Sequence, residues 1–164
     1  MPVYLSKNFV EFPHGEITAH RFDFCIEAHK FLVIFAEVIT SDPAYHAYRS
    51  DEVGFHIPDR CYDVKFDRVE NFESGDFYKQ PTLENRSRRL NFTEELAEAL
   101  ETIITLHHNV YHARAYFAIA ETTKLKRFYD RILQQPPHDV VYEVNTDLGE
   151  GGMGYALKTR YFNS

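Results

Sequence analysis

Tryptophan is absent from the 164 residues, and cysteine and methionine occur only twice each. Without tryptophan, bulky packing falls to 14 phenylalanines and 11 tyrosines, enough for a real core and against a disordered chain. Cys25 and Cys61 lie far apart with no C-x-x-C partner, which favours two free, buried thiols over a disulfide or a zinc site. Glycine and proline, seven of each, are too sparse for a low-complexity tract or a long linker, so residues 1–164 read as a single domain. Long hydrophobic runs are missing too. The longest early one, Phe31 to Ala36, is far too short to cross a bilayer. Met1-Pro2-Val3-Tyr4 lacks the basic and apolar parts of a signal peptide, so a cytoplasmic protein without membrane contact is expected.

Positive charge is in short supply. Lys and Arg total 18 against 25 Asp and Glu, and the net charge of −7 sits wholly in residues 1–78, with 14 acidic side chains against 7 basic ones. Such a chain is a poor direct DNA binder, because phosphate neutralisation dominates that affinity. Solubility accounts for the acidity, and an acidic face toward a basic partner is the sharper alternative.

The clearest pattern runs from Thr93 to Leu133. Thr93 offers a cap, and Glu94 and Glu95 place negative charge at a helix N-terminus. Leu96, Leu100, Ile103, Ile104, His107 and Tyr111 then share one face at helical spacing, predicting a helix over 93–113. Ala115 to Ala120 is apolar at every position, as in a central strand covered on both faces. Leu125, Phe128, Tyr129 and Ile132 predict a second helix over 123–133, which Pro136 and Pro137 end.

Elsewhere Ile17 to Ile26 and Phe31 to Thr40 form an expected hairpin, and Tyr62, Val64 and Phe66 alternate as a strand. Val140 to Val144 and Tyr155 to Phe162 make a closing hairpin around a glycine-rich loop at 149–154. Pro43 to Pro58 reads as loop or edge, and Phe72 to Ser87 as a connection. The sum is an α+β domain, a mostly antiparallel sheet with both helices on one face.

Three sets of side chains could carry function. Glu101, His108 and His112 lie on one flank of the long helix, and histidines one turn apart can share a metal ion. Asn109 stands where a metalloprotease helix would have Glu, and His107 reads as a hydrogen-bonded core residue. Lys124, Arg127 and Arg131 form a basic stripe, and Arg86, Arg88 and Arg89 put three guanidinium groups just before the long helix; together they suit an anion. Tyr45, Tyr48, Phe55 and Tyr78, with Asp51, Glu52, Asp59 and Asp63, suit a protein partner, since tyrosine is a common interface anchor. No nucleophile elbow, Walker loop or H-x-E with paired cysteines is present.

Tyr116-Phe117-Ala118-Ile119-Ala120-Glu121, followed by Leu125 to Ile132 with its Phe128-Tyr129 pair, resembles the late part of GNAT-type N-acetyltransferases, over residues 94–162 at most. The resemblance implies a GNAT-like second half of the fold, acetyl-CoA as cofactor and Tyr129 as general acid toward the leaving thiolate. The family's Gly-rich turn for the pyrophosphate is replaced here by Arg86-Ser87-Arg88-Arg89-Leu90-Asn91-Phe92-Thr93, which has no glycine. The leading expectation is therefore a non-catalytic binding protein of the inhibitor, immunity or adaptor type, needing no cofactor. An acetyl-CoA-dependent acyltransferase is the alternative, ahead of a metal-dependent hydrolase.

Overall fold

The computed structural model describes residues 3–5, 8–77, 79, 92–136 and 139–163. Tyr78, Arg86, Arg88 and Arg89 lie outside them. The strands are β1 (Val3–Leu5), β2 (Val10–His14), β3 (Ile17–Ile26), β4 (His29–Glu37), β5 (Cys61–Arg68), β6 (Ala115–Ile119), β7 (Val141–Leu148) and β8 (Gly154–Thr159). The helices are α1 (Pro43–Val53), α2 (Val69–Ser74), α3 (Phe92–Tyr111) and α4 (Thr123–Ile132). No helix among the described residues is long and apolar enough to cross a membrane.

One sheet runs in the order β1-β3-β4-β5-β6-β8-β7, and β2 pairs with the other end of β3. All pairings are antiparallel except β5 with β6. A parallel neighbour requires a long crossover, and the segment holding α2 and α3 supplies it. Alternation along the strands gives the sheet two apolar faces. Phe22 and Phe24 of β3, Phe31, Val33 and Phe35 of β4, Tyr62 and Phe66 of β5, and Tyr116 of β6 face α3 and α4. Leu96, Leu100 and Ile103 of α3 and Tyr129 of α4 close that core, so both long helices cover one face as the periodicity requires. On the other face, Val38, Cys61, Ala115, Phe117 and Ala156 pack beneath Val53 and Ile57. Cys25 and Cys61 are both free; Cys61 is buried, Cys25 half-buried.

Three expectations need correction. Pro43 to Val53 is helix, not loop: Asp42 accepts from the amides of Ala44 and Tyr45, and Pro43 sits where a missing N–H costs nothing. Its period escapes notice because Arg49 and Val53 alone are buried, so an arginine does the work of an apolar residue. Val69–Ser74, at the start of the supposed connection, is also helical. The third concerns Thr93, which lies inside α3 and not at its cap, since the helix already includes Phe92.

The core beneath α3 has a polar thread. His107, fully buried, reaches His20 Nδ1 through Nε2 (2.9 Å) and the Tyr116 hydroxyl through Nδ1 (2.8 Å). In one tautomeric arrangement the Tyr116 hydroxyl donates to His107, and His107 Nε2–H donates to His20, so both rings stay neutral. Phe35 stacks on His107 (3.9 Å between centroids), Tyr111 stacks on His20 (3.8 Å), and Tyr111 donates to Glu11. Burial pulls the His107 and His20 values below the ordinary histidine range, with the His20 charge adding to the effect on His107 and Glu11 opposing it at His20. The unfolded chain thus binds protons near pH 6.5 that the native rings refuse. Stability is therefore complete above pH 6.5 and should fall as pH drops below it, by about 1.4 kcal/mol per pH unit for His107, with His20 adding in the same direction. Urea midpoints at pH 7.5 and 5.5 read this loss. An unchanged midpoint, or an equal fall in His107→Asn, would refute the assignment to these rings.

Candidate functional site

The ladder between β5 and β6 is short. It joins Cys61 to Ala115, Tyr62 to Tyr116 and Asp63 to Phe117, and there it stops. Beyond that point β5 and β6 are no longer paired. On the α3–α4 side an apolar cavity of about 60 Å³ is lined by Val64, Phe66, Leu100, Ala118, Tyr129 and Tyr155 among others. Tyr129 is buried and packs edge-on against Phe66 and Tyr155. The Tyr155 hydroxyl donates to Asp130 (2.6 Å) and Lys126 bonds Asp147 (2.8 Å), tying α4 to the closing hairpin.

On the α1 side, Arg49 covers the place where the ladder ends. Its guanidinium donates to both oxygens of Asp63, lies 6.0 Å from the Phe117 ring and receives Glu52 at 3.2 Å. Asp63 and Phe117 are the last paired residues of the two strands, so Arg49 bridges them where backbone bonding ends. The hydrogen-bonded Asp63 carboxylate raises its value and holds its charge in place despite burial. In front of it lies a groove of about 210 Å³, with Tyr48 and Glu52 from α1, Phe117 and Ile119 from β6, and Gly149 and Glu150 from the hairpin loop. Gly149 has φ +68°, and a Cβ there would meet Glu52 Cγ at 3.1 Å, so glycine lets loop and helix close on each other.

Other candidates from the sequence are dispersed. Tyr45, Tyr48 and Asp51 are exposed on α1, not in a loop. Phe55 packs edge-on to Phe162 under the Lys158 ammonium, and Asp59 pairs with Arg114 (2.7 Å). Lys124, Arg127 and Arg131 are exposed on α4, and Arg131 binds Glu94 at 2.6 Å. That pair lies at a cleft of about 380 Å³ whose other charges among the described residues are Glu98 and Glu101. Glu101 sits above the usual carboxylate range, through burial and the nearby Glu98.

His108 is not on an open flank. It is buried, its ring stacks on Tyr161 (5.0 Å), and His112 meets the same ring at 4.9 Å. Burial and Arg160 pull the His108 value down. Among the described residues no three His, Cys, Asp or Glu side chains gather as a metal site. The residue that sequence reasoning missed is Arg49, and the signal available was its place one helical turn after Tyr45 and three residues before Glu52.

Removing Arg49 strands Asp63 without its partner. Arg49→Met should cost about 2–3 kcal/mol, below the range for a fully buried pair because Asp63 keeps 26% of its side-chain surface. The double variant Arg49→Met/Asp63→Asn should cost less than the two single changes added together, as read by denaturant unfolding. Strict additivity would mean the pair holds nothing. Comparison of the chain with protein-family models, curated proteins and solved structures found no match.

Proposed function

We propose that this chain is a non-catalytic binding protein that engages a basic protein partner through α1 and the β7–β8 hairpin. The observation that carries the reading is Arg49. A nearly buried arginine, held by Asp63 and Glu52, closes the break in the sheet from the α1 side and leaves in front of it a groove with carboxylates and an exposed tyrosine. Tyr45, Tyr48 and Asp51 extend that face into solvent, where aromatic rings bury much area at small entropic cost. Asp59 and Asp63 are hydrogen-bonded to arginines of this chain, so they shape the face more than they offer charge, whereas Glu52 lies near Arg49 without a hydrogen bond to it.

A second reading, an acetyl-CoA-dependent acyltransferase, is favoured by one observation: Tyr129 borders an apolar cavity where the parallel pair β5 and β6 parts. Against it stands the acidic first turn of α3, with Glu94 and Glu95 where a pyrophosphate would need positive potential.

The two readings separate in one design. Immobilised protein should retain a partner bearing a basic segment, and Tyr48→Ala/Asp51→Lys should lose it by about 10-fold or more in affinity. Acetyl-CoA should leave the melting temperature unchanged. A rise of several degrees with acetyl-CoA near 100 times its Kd, about 2.7 kcal/mol of linkage, together with acyl transfer lost in Tyr129→Phe, would replace this reading by the second. Equal retention by wild type and double variant would remove α1 from the interface.

A further inference from the structure

The groove before Arg49 is built for one kind of side chain. Its floor is apolar, from Phe117 and Ala118 of β6 with Leu148 and Met153 of the closing hairpin. Glu52 and Glu150 supply its acidic groups, and Tyr48, 66% exposed, supplies an open aromatic face. An aliphatic stem with a charged head matches that distribution, since such chains lay methylenes on apolar surface and keep the charge at the polar edge. We propose that the groove receives an arginine side chain from the basic segment of a protein partner, its guanidinium meeting the carboxylates of Glu52 and Glu150 and the ring of Tyr48. The inference rests on the binding-protein reading and gives it a specific contact.

Charge favours a cation there in spite of Arg49. The Arg49 guanidinium is already answered by Asp63 behind the groove, while Glu52 and Glu150 both line it, so carboxylates outnumber the resident cation there. Asp63 takes the two terminal nitrogens of Arg49, whereas Glu52 lies 3.2 Å from Nε outside hydrogen-bond alignment, and buried Nε has no hydrogen-bond partner among the described residues. Glu52 therefore retains acceptor capacity for a second cation. Glu150 is exposed and forms no ion pair among the described residues. An anion would meet those carboxylates directly, which excludes a phosphate-bearing occupant. Arginine suits the site better than lysine because its planar fork can serve a carboxylate while its face lies on tyrosine. Gly149 fixes the loop close to Glu52, so the groove is formed before any ligand arrives.

The test is an NMR titration of the full chain at low salt with N-acetyl-arginine methylamide, its lysine counterpart and its neutral citrulline isostere. The arginine probe should give saturable amide shifts at Tyr48, Glu52, Ile119, Gly149 and Glu150. Citrulline should bind about 10-fold more weakly or not at all. Glu150→Gln and Glu52→Gln should each weaken the arginine response while the rest of the spectrum is unchanged. Glu150 is exposed, so that variant keeps the test valid if Glu52→Gln disturbs the fold. Equal shifts with citrulline, or shifts confined to the cleft of Glu94, Glu98 and Glu101, would overturn the site. Lysine binding as tightly as arginine would overturn the choice of arginine. A partner lost on Tyr48→Ala/Asp51→Lys, with no arginine response, would overturn this inference alone and leave the binding reading intact.

Discussion

Where the backbone ladder between β5 and β6 ends, at Asp63 and Phe117, an ion pair replaces it. Arg49 arrives from α1, binds Asp63 with both terminal nitrogens and lies over Phe117. Most of the second face follows from this contact. It holds α1 against the sheet although Val53 is the helix's only other buried residue, and it places Val53 and Ile57 over Cys61, Ala115 and Ala156. A buried guanidinium is stable only with its charge answered and its donors directed, which fixes α1 more narrowly than an apolar contact of similar size would. The same constraint shapes the groove, because Glu52, one turn from Tyr48, is drawn toward Arg49 and meets Gly149.

The first core solves a different problem. Without tryptophan, the space under α3 is filled by Phe and Tyr rings, and the rings bring hydroxyls that need partners. Tyr116 is almost fully buried; its hydroxyl is answered by His107, and His107 is answered in turn by His20. Burial raises the Tyr116 value well above that of a free phenol and lowers both histidines, so every group in the thread is neutral at ordinary pH. Aromatic faces above and below, Phe35 on His107 and Tyr111 on His20, leave little room for water. Three strands and a helix converge on this thread, since β3 carries His20, β4 Phe35, β6 Tyr116 and α3 both His107 and Tyr111.

The acidic first half of the chain does not become one acidic patch. Asp23, Asp59 and Asp63 pair with Arg21, Arg114 and Arg49, and of these only the Asp63–Arg49 pair is largely withdrawn from solvent. On α1 the exposed carboxylate of Asp51 stands with the rings of Tyr45 and Tyr48, and Glu150 from the other half of the sequence lines the groove beside them. Net charge by itself says little about where on the surface a partner would bind.

Local pattern determined α3 and α4 through apolar residues at helical spacing, β3 through alternation, β6 through an unbroken apolar run and the closing hairpin through its glycine-rich loop, because each signal is complete within its own segment. It also marked His107 for the core, through its place on the apolar face of α3. The short strands β1 and β2 and the helix α1 were hidden, since edge strands and a helix anchored by an arginine leave no such repeat. Nor could spacing place His108: it shares a flank with His112 on the helix, yet Tyr161 from the chain's last residues covers it. The pairing of Arg49 with Asp63, the thread from Tyr116 to His20 and the groove at Gly149 belong to tertiary structure alone. Each joins residues from separate elements, and ion pairs and buried hydrogen bonds depend on distance and direction in space, which carry no period along the chain.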